Sequence, residues 1–389
     1  MRVAHIITRL ILGGAQENTL FNCEDLIRSH GDEVLLVTGP ALGPEGSLID
    51  RARLNGVPLA ILDSLRRAIH PARDLAAHRA IKRTLADFRP DVVHTHSAKA
   101  GMLGRAAAWS LNVPAVIHTV HGAPFHDYQP AAARWFFQRC ERWAAARCHR
   151  LISVADAMTD LMVAAHVAPR EKFTTIQSGM DVEPFLRSDE TRSAARAELG
   201  YGDDDIVVGK IARLFHLKGH EYVIDAARLV APLAPRVKFL FVGDGLSRGE
   251  LERRVADAGL ADRFLFTGLV PPERVPPLIA AMDIVVHASL REGLARVLPQ
   301  ALVSARPPIS YDIDGAREVV IDGQTGVLLP PKSVAPLADA IVRLAHDAPL
   351  RARLGQEGRR RFTDIFRHER MTASIRALYQ SALDDRSPR

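Results

Sequence analysis

Along this chain, short apolar runs rich in Val and Ile alternate with amphipathic stretches of helical length. That rhythm is the signature of parallel α/β layers, in which each strand is followed by a crossover helix. In the first half it predicts strands over residues 3–7, 34–38, 91–95, 115–119 and 151–154, with helices over 15–30 and 74–88. The second half restarts the rhythm, with strands over 206–211, 238–242, 264–267, 284–287 and 308–310. Helical patterns at 221–229, 248–258, 276–281 and 334–344 separate these. The stretch 178–205, with Gly, Pro and a run of acids, interrupts the pattern and predicts a junction. The expected architecture is α/β, with two doubly wound, Rossmann-like domains over 1–180 and 181–365 facing each other across a cleft. In open parallel sheets ligands bind beyond the carboxyl ends of the strands. Chemistry is therefore sought in loops directly after strands.

The length of 389 residues exceeds what one hydrophobic core usually supports, in keeping with two domains. A content of 47% hydrophobic and 25% charged residues is that of a globular protein. The longest apolar run, 283–290, suits a buried strand and is too short to cross a membrane. The opening "MRVAHIITRLILGGAQ" lacks a small-residue cleavage site and reads as a first strand, not a signal peptide. Cys23, Cys140 and Cys148 are odd in number and widely spaced, which implies neither a disulfide framework nor a zinc knuckle. A reducing cytoplasm fits.

The net charge of +6 is uneven. Residues 1–180 hold 21 Lys/Arg against 16 Asp/Glu, and the remainder 30 against 29. Between Ser64 and Pro90 seven Lys/Arg face only Asp74 and Asp87, and "RWFFQRCERWAAARCHR" mixes five arginines with four bulky aromatics. Two readings stand: an anionic partner such as a membrane surface or polyanionic acceptor, or two amphipathic helices with solvated faces. Nucleic acid is not expected, because no binding module accompanies the charge.

Gly13 and Gly14 follow the first strand and precede a helix, where glycine lets the backbone approach a phosphate and the helix N-terminus offers free N–H groups. The spacing also suits an ordinary tight turn and is not the dinucleotide fingerprint. Arg213 and Lys218 lie five residues apart in the loop after the first strand of the second half, where two cations can converge on a diphosphate. They can equally be surface cations. Glu292 follows the strand "DIVVHASL" and is placed to bind sugar hydroxyls, with the amides around Gly293, Leu294 and Ala295 beside it; a helix N-terminal acid is the structural alternative. Gln300 lies eight residues on, about two turns if the segment is helical, so it is expected to reach the same cleft. His94, His96, His118, His121 and His126 cluster after strands of the first half. Of these, His121 before Gly122 is the candidate to touch a reacting sugar. His94 and His96 share a strand face and could ligate a metal, but no carboxylate is patterned with them, and no metal is expected.

These residues resemble the family-4 retaining glycosyltransferases of the GT-B fold, over nearly the whole chain. The resemblance rests on "GGAQ", "HTHSAKAGMLGR", "HTVHG", "SVADAM", "IQSGMDVEPF", "GKIARLFHLKGH", "FVGDG", "FTGLV" and "EGLARVLPQAL". The ending "FRHERMTASIRALYQSAL" resembles the terminal helix that packs back on the first domain of that fold, so 366–389 is expected to return there. The resemblance implies a nucleotide-sugar donor, UDP- or GDP-linked, and no further cofactor. It implies that Gly13 and Gly14 lie beneath the donor phosphates, Arg213 and Lys218 clamp the diphosphate, and Glu292 contacts sugar hydroxyls. His121 would sit near the transferred sugar, and Leu269 and Val270 would line the base pocket through their backbone. Gln300 stands where the family has a second glutamate holding the donor ribose, and Ala295 where it often has glycine. An amide can still bond two hydroxyls. The implied mechanism is front-face substitution, the leaving phosphate accepting the acceptor's proton. A nucleotide-sugar epimerase or hydrolase of similar shape is the alternative. The implied acceptor is a glycan or a lipid-linked sugar in surface polysaccharide or glycolipid synthesis, with peripheral contact at the inner face of a membrane.

Overall fold

The computed structural model describes residues 1–43 and 46–385. The chain forms two compact units, one of residues 1–180 together with the segment from Phe366 onward, the other Asp181–Ile365.

The first unit alternates strand and helix: β1 (Arg2–Ile7), α1 (Gly14–His30), β2 (Glu33–Thr38), α2 (Ile49–Leu54), β3 (Leu59–Ile61), α3 (Pro71–Phe88), β4 (Val92–His96), α4 (Ala98–Ser110), β5 (Ala115–Val120), α5 (Ala131–Ala145), β6 (Arg150–Ser153), α6 (Asp156–Ala164) and β7 (Phe173–Thr175). The strands make one parallel sheet in the order β3-β2-β1-β4-β5-β6-β7. Its central strands are buried on both faces, which is why they read as nearly unbroken apolar runs. Val3, Ile7, Ile117 and α1 form the core on one face; Ala4, Ile6, Val93, α3 and α4 form it on the other.

The second unit continues with α7 (Glu183–Leu186), α8 (Arg192–Glu198), β8 (Ile206–Ile211), α9 (His220–Leu233), β9 (Val237–Val242), α10 (Arg248–Asp257), β10 (Phe264–Phe266), α11 (Val275–Ala281), β11 (Ile284–His287), α12 (Val297–Val303), β12 (Pro308–Tyr311), β13 (Val327–Leu329), α13 (Val334–His346) and α14 (Ala348–Phe362). Its parallel sheet has the order β10-β9-β8-β11-β12-β13. The stretch 178–205 is no bare linker. Arg192 and Arg196 on α8 both bond Asp283, fixing that helix to the edge of β11.

The last helix, α15 (His368–Asp384), belongs to the first unit. Met371, Ile375 and Tyr379 enter the α1-side core. Asp25 accepts from Thr372 at 2.8 Å and meets His368 Nδ1 at 2.8 Å, while Asp32 accepts from Arg376 at 2.8 Å and from the N-terminal ammonium at 2.7 Å. Among the described residues no helix is long and apolar enough to cross a membrane.

Candidate active site

In each sheet the strand order reverses once, between β1 and β4 in the first and between β8 and β11 in the second. The loops leaving two such strands diverge and open a crevice between them, the usual ligand position in doubly wound sheets.

In the second unit this topology brings Lys218, on the loop after β8, against Glu292, on the loop after β11. The ammonium donates to Glu292 Oε1. The loops are knitted together by backbone bonds: Leu290 N–H to the Leu217 carbonyl at 2.8 Å, Leu214 to Asp244 at 2.9 Å, Gly243 to Gly268 at 3.0 Å and Gly315 to Gly293 at 3.1 Å. Leu217 is held at φ +67, a conformation that costs a bulky residue on the order of 1–3 kcal/mol and persists only where the surroundings impose it. Gly219 follows at φ +68, and a Cβ there would come within 1.8 Å of the Ala288 carbonyl oxygen, so this position admits only glycine.

Burial alone would raise the Glu292 carboxyl, but facing His287 and Lys218 more than offset it and bring it to about 2. His287 Nε2 stands 3.8 Å away, past hydrogen-bond reach, so the direct contact is with Lys218. The Glu292 N–H donates to Asp314 Oδ2 at 2.6 Å, and Asp314 itself sits at φ +45. Burial, and the charge of Glu292, push the Asp314 carboxyl upward. Beneath this group lies Lys210 on β8. It is 1% exposed, and its Nζ has no hydrogen-bond partner among the described residues. Burial, with the charge of Lys218 added, lowers it to about 7. Neighbouring His220 falls to about 2 for the same reasons.

Arg213 lies on the loop of Lys218, its guanidinium 5.2 Å over the Phe215 ring, and makes no side-chain hydrogen bond among the described residues. Arg213 is exposed. Leu269 is exposed just after β10, with Val270 half-buried beside it. Two expectations are corrected. Residues 292–296 are not helical and α12 begins only at Val297, so Glu292 is not a helix N-terminal acid. For the same reason Gln300 is not two helical turns from it. Gln300 is nevertheless the one residue of α12 that is not buried, so its amide lies on the open side of that helix.

In the first unit Gly13 precedes α1, whose first amides lack helical partners, and Gly14 opens the helix. His121 follows β5. It belongs to a file of imidazoles: His5 Nδ1 meets His96 Nε2 at 3.0 Å, and His96 Nδ1 meets His121 Nε2 at 3.1 Å. A neutral imidazole donates from one nitrogen and accepts at the other. The tautomers are therefore coupled: if His5 donates to His96, then His96 donates to His121 and leaves the His121 proton on Nδ1. Burial holds His121 down at about 4 and His5 at about 3, and drives His96 and His94 well below their usual range.

His94 and His96 are indeed brought together, with His5, their ligand atoms within 4.8 Å of one another. Both nitrogens of His94 are already bonded, Nδ1 to Tyr379 at 2.5 Å and Nε2 to Thr119 at 2.7 Å. Among the described residues only Nε2 of His5 lacks a partner in this trio. His118 points to the other sheet face, bonded to Thr95 at 2.9 Å. Sequence reasoning missed His5, Lys210, His287 and Asp314. His5, Lys210 and His287 lie inside strands and Asp314 opens a short 3-10 helix, none with a repeated spacing to single it out.

Residues 14–179 match the Glycosyl transferase 4-like domain and residues 191–361 match Glycosyl transferases group 1. The chain is similar to the Escherichia coli UDP-Gal:alpha-D-GlcNAc-diphosphoundecaprenol alpha-1,3-galactosyltransferase, 26% identical over 97% of this chain and 96% of that one. It is also similar to a 2-deoxystreptamine N-acetyl-D-glucosaminyltransferase of Streptomyces fradiae, 31% identical over 70% of this chain and 65% of that one. Among solved structures, Anabaena HepE in complex with UDP-glucose superposes with a TM-score of 0.83 at 22% identity, covering 98% and 100% of the two chains. The fold is GT-B, two Rossmann-like halves built on parallel sheets.

Proposed function

We propose, for a chain that belongs to the group 1 glycosyltransferases, that it moves a sugar from a nucleoside-diphosphate donor to a glycan or lipid-linked acceptor with retention of anomeric configuration. The observation that carries the reading is the Lys218–Glu292 pair at the strand-order reversal of the second sheet. It sets a cation for phosphate beside a carboxylate for sugar hydroxyls. Arg213 and Lys218 take the diphosphate, Glu292 and the Gly293–Ala295 amides the sugar, Gln300 the ribose, and the backbone of Leu269 and Val270 the base. In the first unit, Gly13 and Gly14 offer amides to phosphate and His121 offers a neutral imidazole to a sugar.

As the bond from the anomeric carbon to the diphosphate breaks, negative charge grows on the leaving group. Preorganised cations stabilise that charge more than they stabilise the bound donor. The acceptor attacks on the face the diphosphate leaves, and a leaving phosphate oxygen takes its proton. Glu292, held ionised, accepts hydrogen bonds and forms no covalent intermediate.

A UDP-linked donor comes first and a GDP-linked one second, because the E. coli relative is named for UDP-Gal and the Anabaena structure holds UDP-glucose. The same relative's name carries a diphosphoundecaprenol acceptor, which favours a lipid-linked acceptor in surface polysaccharide or glycolipid synthesis and peripheral contact with a membrane. The deciding experiment is thermal melting against UDP-, GDP- and ADP-sugars with chelator present. A specific ligand raises the melting temperature by mass action. A shift with one nucleotide series that Lys218→Ala abolishes supports the reading, and no shift at saturating nucleotide sugar overturns it. Proton coupling at the anomeric centre of the product then reports retention or inversion.

A further inference from the structure

The first unit carries a surface that sugar transfer does not use. Helix α5 turns Glu141, Ala144 and Ala145 inward, and Glu141, its one acid, bonds the buried Arg105 at 2.9 Å. The outward side exposes Trp135, Phe136, Arg139, Arg142 and Trp143. Their three- and four-residue intervals place them on one stripe of the helix. Large aromatics supply most of the driving force for burial, yet Trp135 is 62% exposed, Phe136 49% and Trp143 44%. The chain has three tryptophans. The third, Trp109, is also exposed, near the end of adjoining α4.

The arginines of this stripe, and Arg147 just past the end of the helix, keep their charge unbalanced. Arg139 lies 5.6 Å from the centre of the Trp135 ring and Arg147 lies 3.9 Å from that of Trp143. Arg142 donates to the carbonyls of His166 and Ala165. Among the described residues none of the three forms an ion pair, whereas Arg134, off the stripe, is taken by Asp127 at 2.6 Å. Aromatic rings interleaved with unpaired guanidiniums are the composition of helices that lie in the headgroup layer. The rings settle at the boundary with the acyl chains, and the cations meet lipid phosphates. In a two-fold dimer this stripe would meet its own copy, and with Glu141 buried it offers no acid to balance Arg139 and Arg142 across the seam, which favours an anionic lipid surface over a second copy of the chain.

We propose that the exposed face of α5 is a docking surface for an anionic lipid bilayer. This deepens the lipid-linked acceptor reading without depending on it, because vesicle binding is measured with no sugar transferred. The test uses the full chain with vesicles of phosphatidylcholine alone and with about a third phosphatidylglycerol, read by cosedimentation and tryptophan emission. Binding to the anionic vesicles only, weakened by salt and accompanied by a blue shift, is expected. Each basic residue near an anionic surface is worth about fivefold in partitioning, so reversing one changes binding by about 25-fold in Arg139→Glu. The triple variant Trp135→Ser, Phe136→Ser, Trp143→Ser is expected to lose binding while staying folded by circular dichroism, with a modestly lower melting temperature because Phe136 and Trp143 bury about half of their surface. Three outcomes overturn the proposal. These are no binding of the parent to anionic vesicles, equal binding by the variants, and a lipid-free dimer of the parent that the triple variant loses.

Discussion

Lys218 and Glu292 are 74 residues apart in sequence and form an ion pair, because β8 and β11 are neighbours at the one place where the second sheet reverses its order. In the proposed reaction a ligand divides the pair, the diphosphate competing for the ammonium and the sugar for the carboxylate. A hydrogen bond to a charged group contributes roughly 1.5–3 kcal/mol. Lys218→Ala is therefore expected to weaken UDP binding about 10- to 100-fold by calorimetry. Glu292→Gln is expected to lower kcat/KM by a similar factor. Turnover of the Gln variant within twofold of the parent would remove Glu292 from the site.

The imidazole file gives stability a pH dependence of known sign. His121 at about 4 and His5 at about 3 stay neutral in the folded chain, while unfolding returns them to their usual 6.5. Between those values the unfolded chain binds protons that the folded one does not, so stability falls as pH drops through 6.5. These two alone are expected to cost roughly 4 kcal/mol between pH 7 and 5. Urea unfolding at the two pH values reads it, and an unchanged midpoint refutes it.

Lys210 works in the alkaline direction. Its folded value of about 7 lies below the usual 10.5, so its cost to the fold is fully present below pH 7 and is lost as pH rises toward 10.5. Lys210→Met is expected to be more stable than the parent at pH 7. That advantage should shrink by about 1–2 kcal/mol by pH 9. An advantage independent of pH would mean that Lys210 is not a buried titrating group.

Arg105 and Glu141 are both almost fully buried. Removing one partner of such a pair leaves a charge without solvent or countercharge, at about 3–5 kcal/mol. Glu141→Ala should lose that much in chemical denaturation, and the double variant Arg105→Met, Glu141→Leu should regain most of it. Equal loss in single and double variants would show that packing around α4 and α5, not charge, dominates there.

The central strands were legible because burial on both faces writes itself as a continuous apolar run. β3, β7 and β13, three residues each at a sheet edge, were not legible, although β10, equally short and also at an edge, was. Lys218 and Glu292 could be named because each follows a readable strand. Asp314 could not, because its link to Glu292 is a single bond from the backbone of one loop to the side chain of the residue that opens a short 3-10 helix. Nor could Lys210: a lysine inside a strand reads as a solvent-facing position, and only the neighbouring strands reveal that its ammonium is enclosed. Assuming a helix directly after Glu292 misplaced Gln300, because apolar composition predicts burial and does not fix where the first helical turn closes.

The return of α15 to the first unit has a consequence for biosynthesis. Met371, Ile375 and Tyr379 complete a core whose other members lie before residue 180, whereas the second unit is contiguous from Asp181 to Ile365. As the chain emerges from the ribosome, the second unit has all its parts first, and the first unit waits for α15 before that face of its sheet is covered. A premature stop inside α15 therefore leaves Asp25, Asp32 and the apolar face of α1 open, and such a product is marked for aggregation or degradation although every residue assigned to the donor is present.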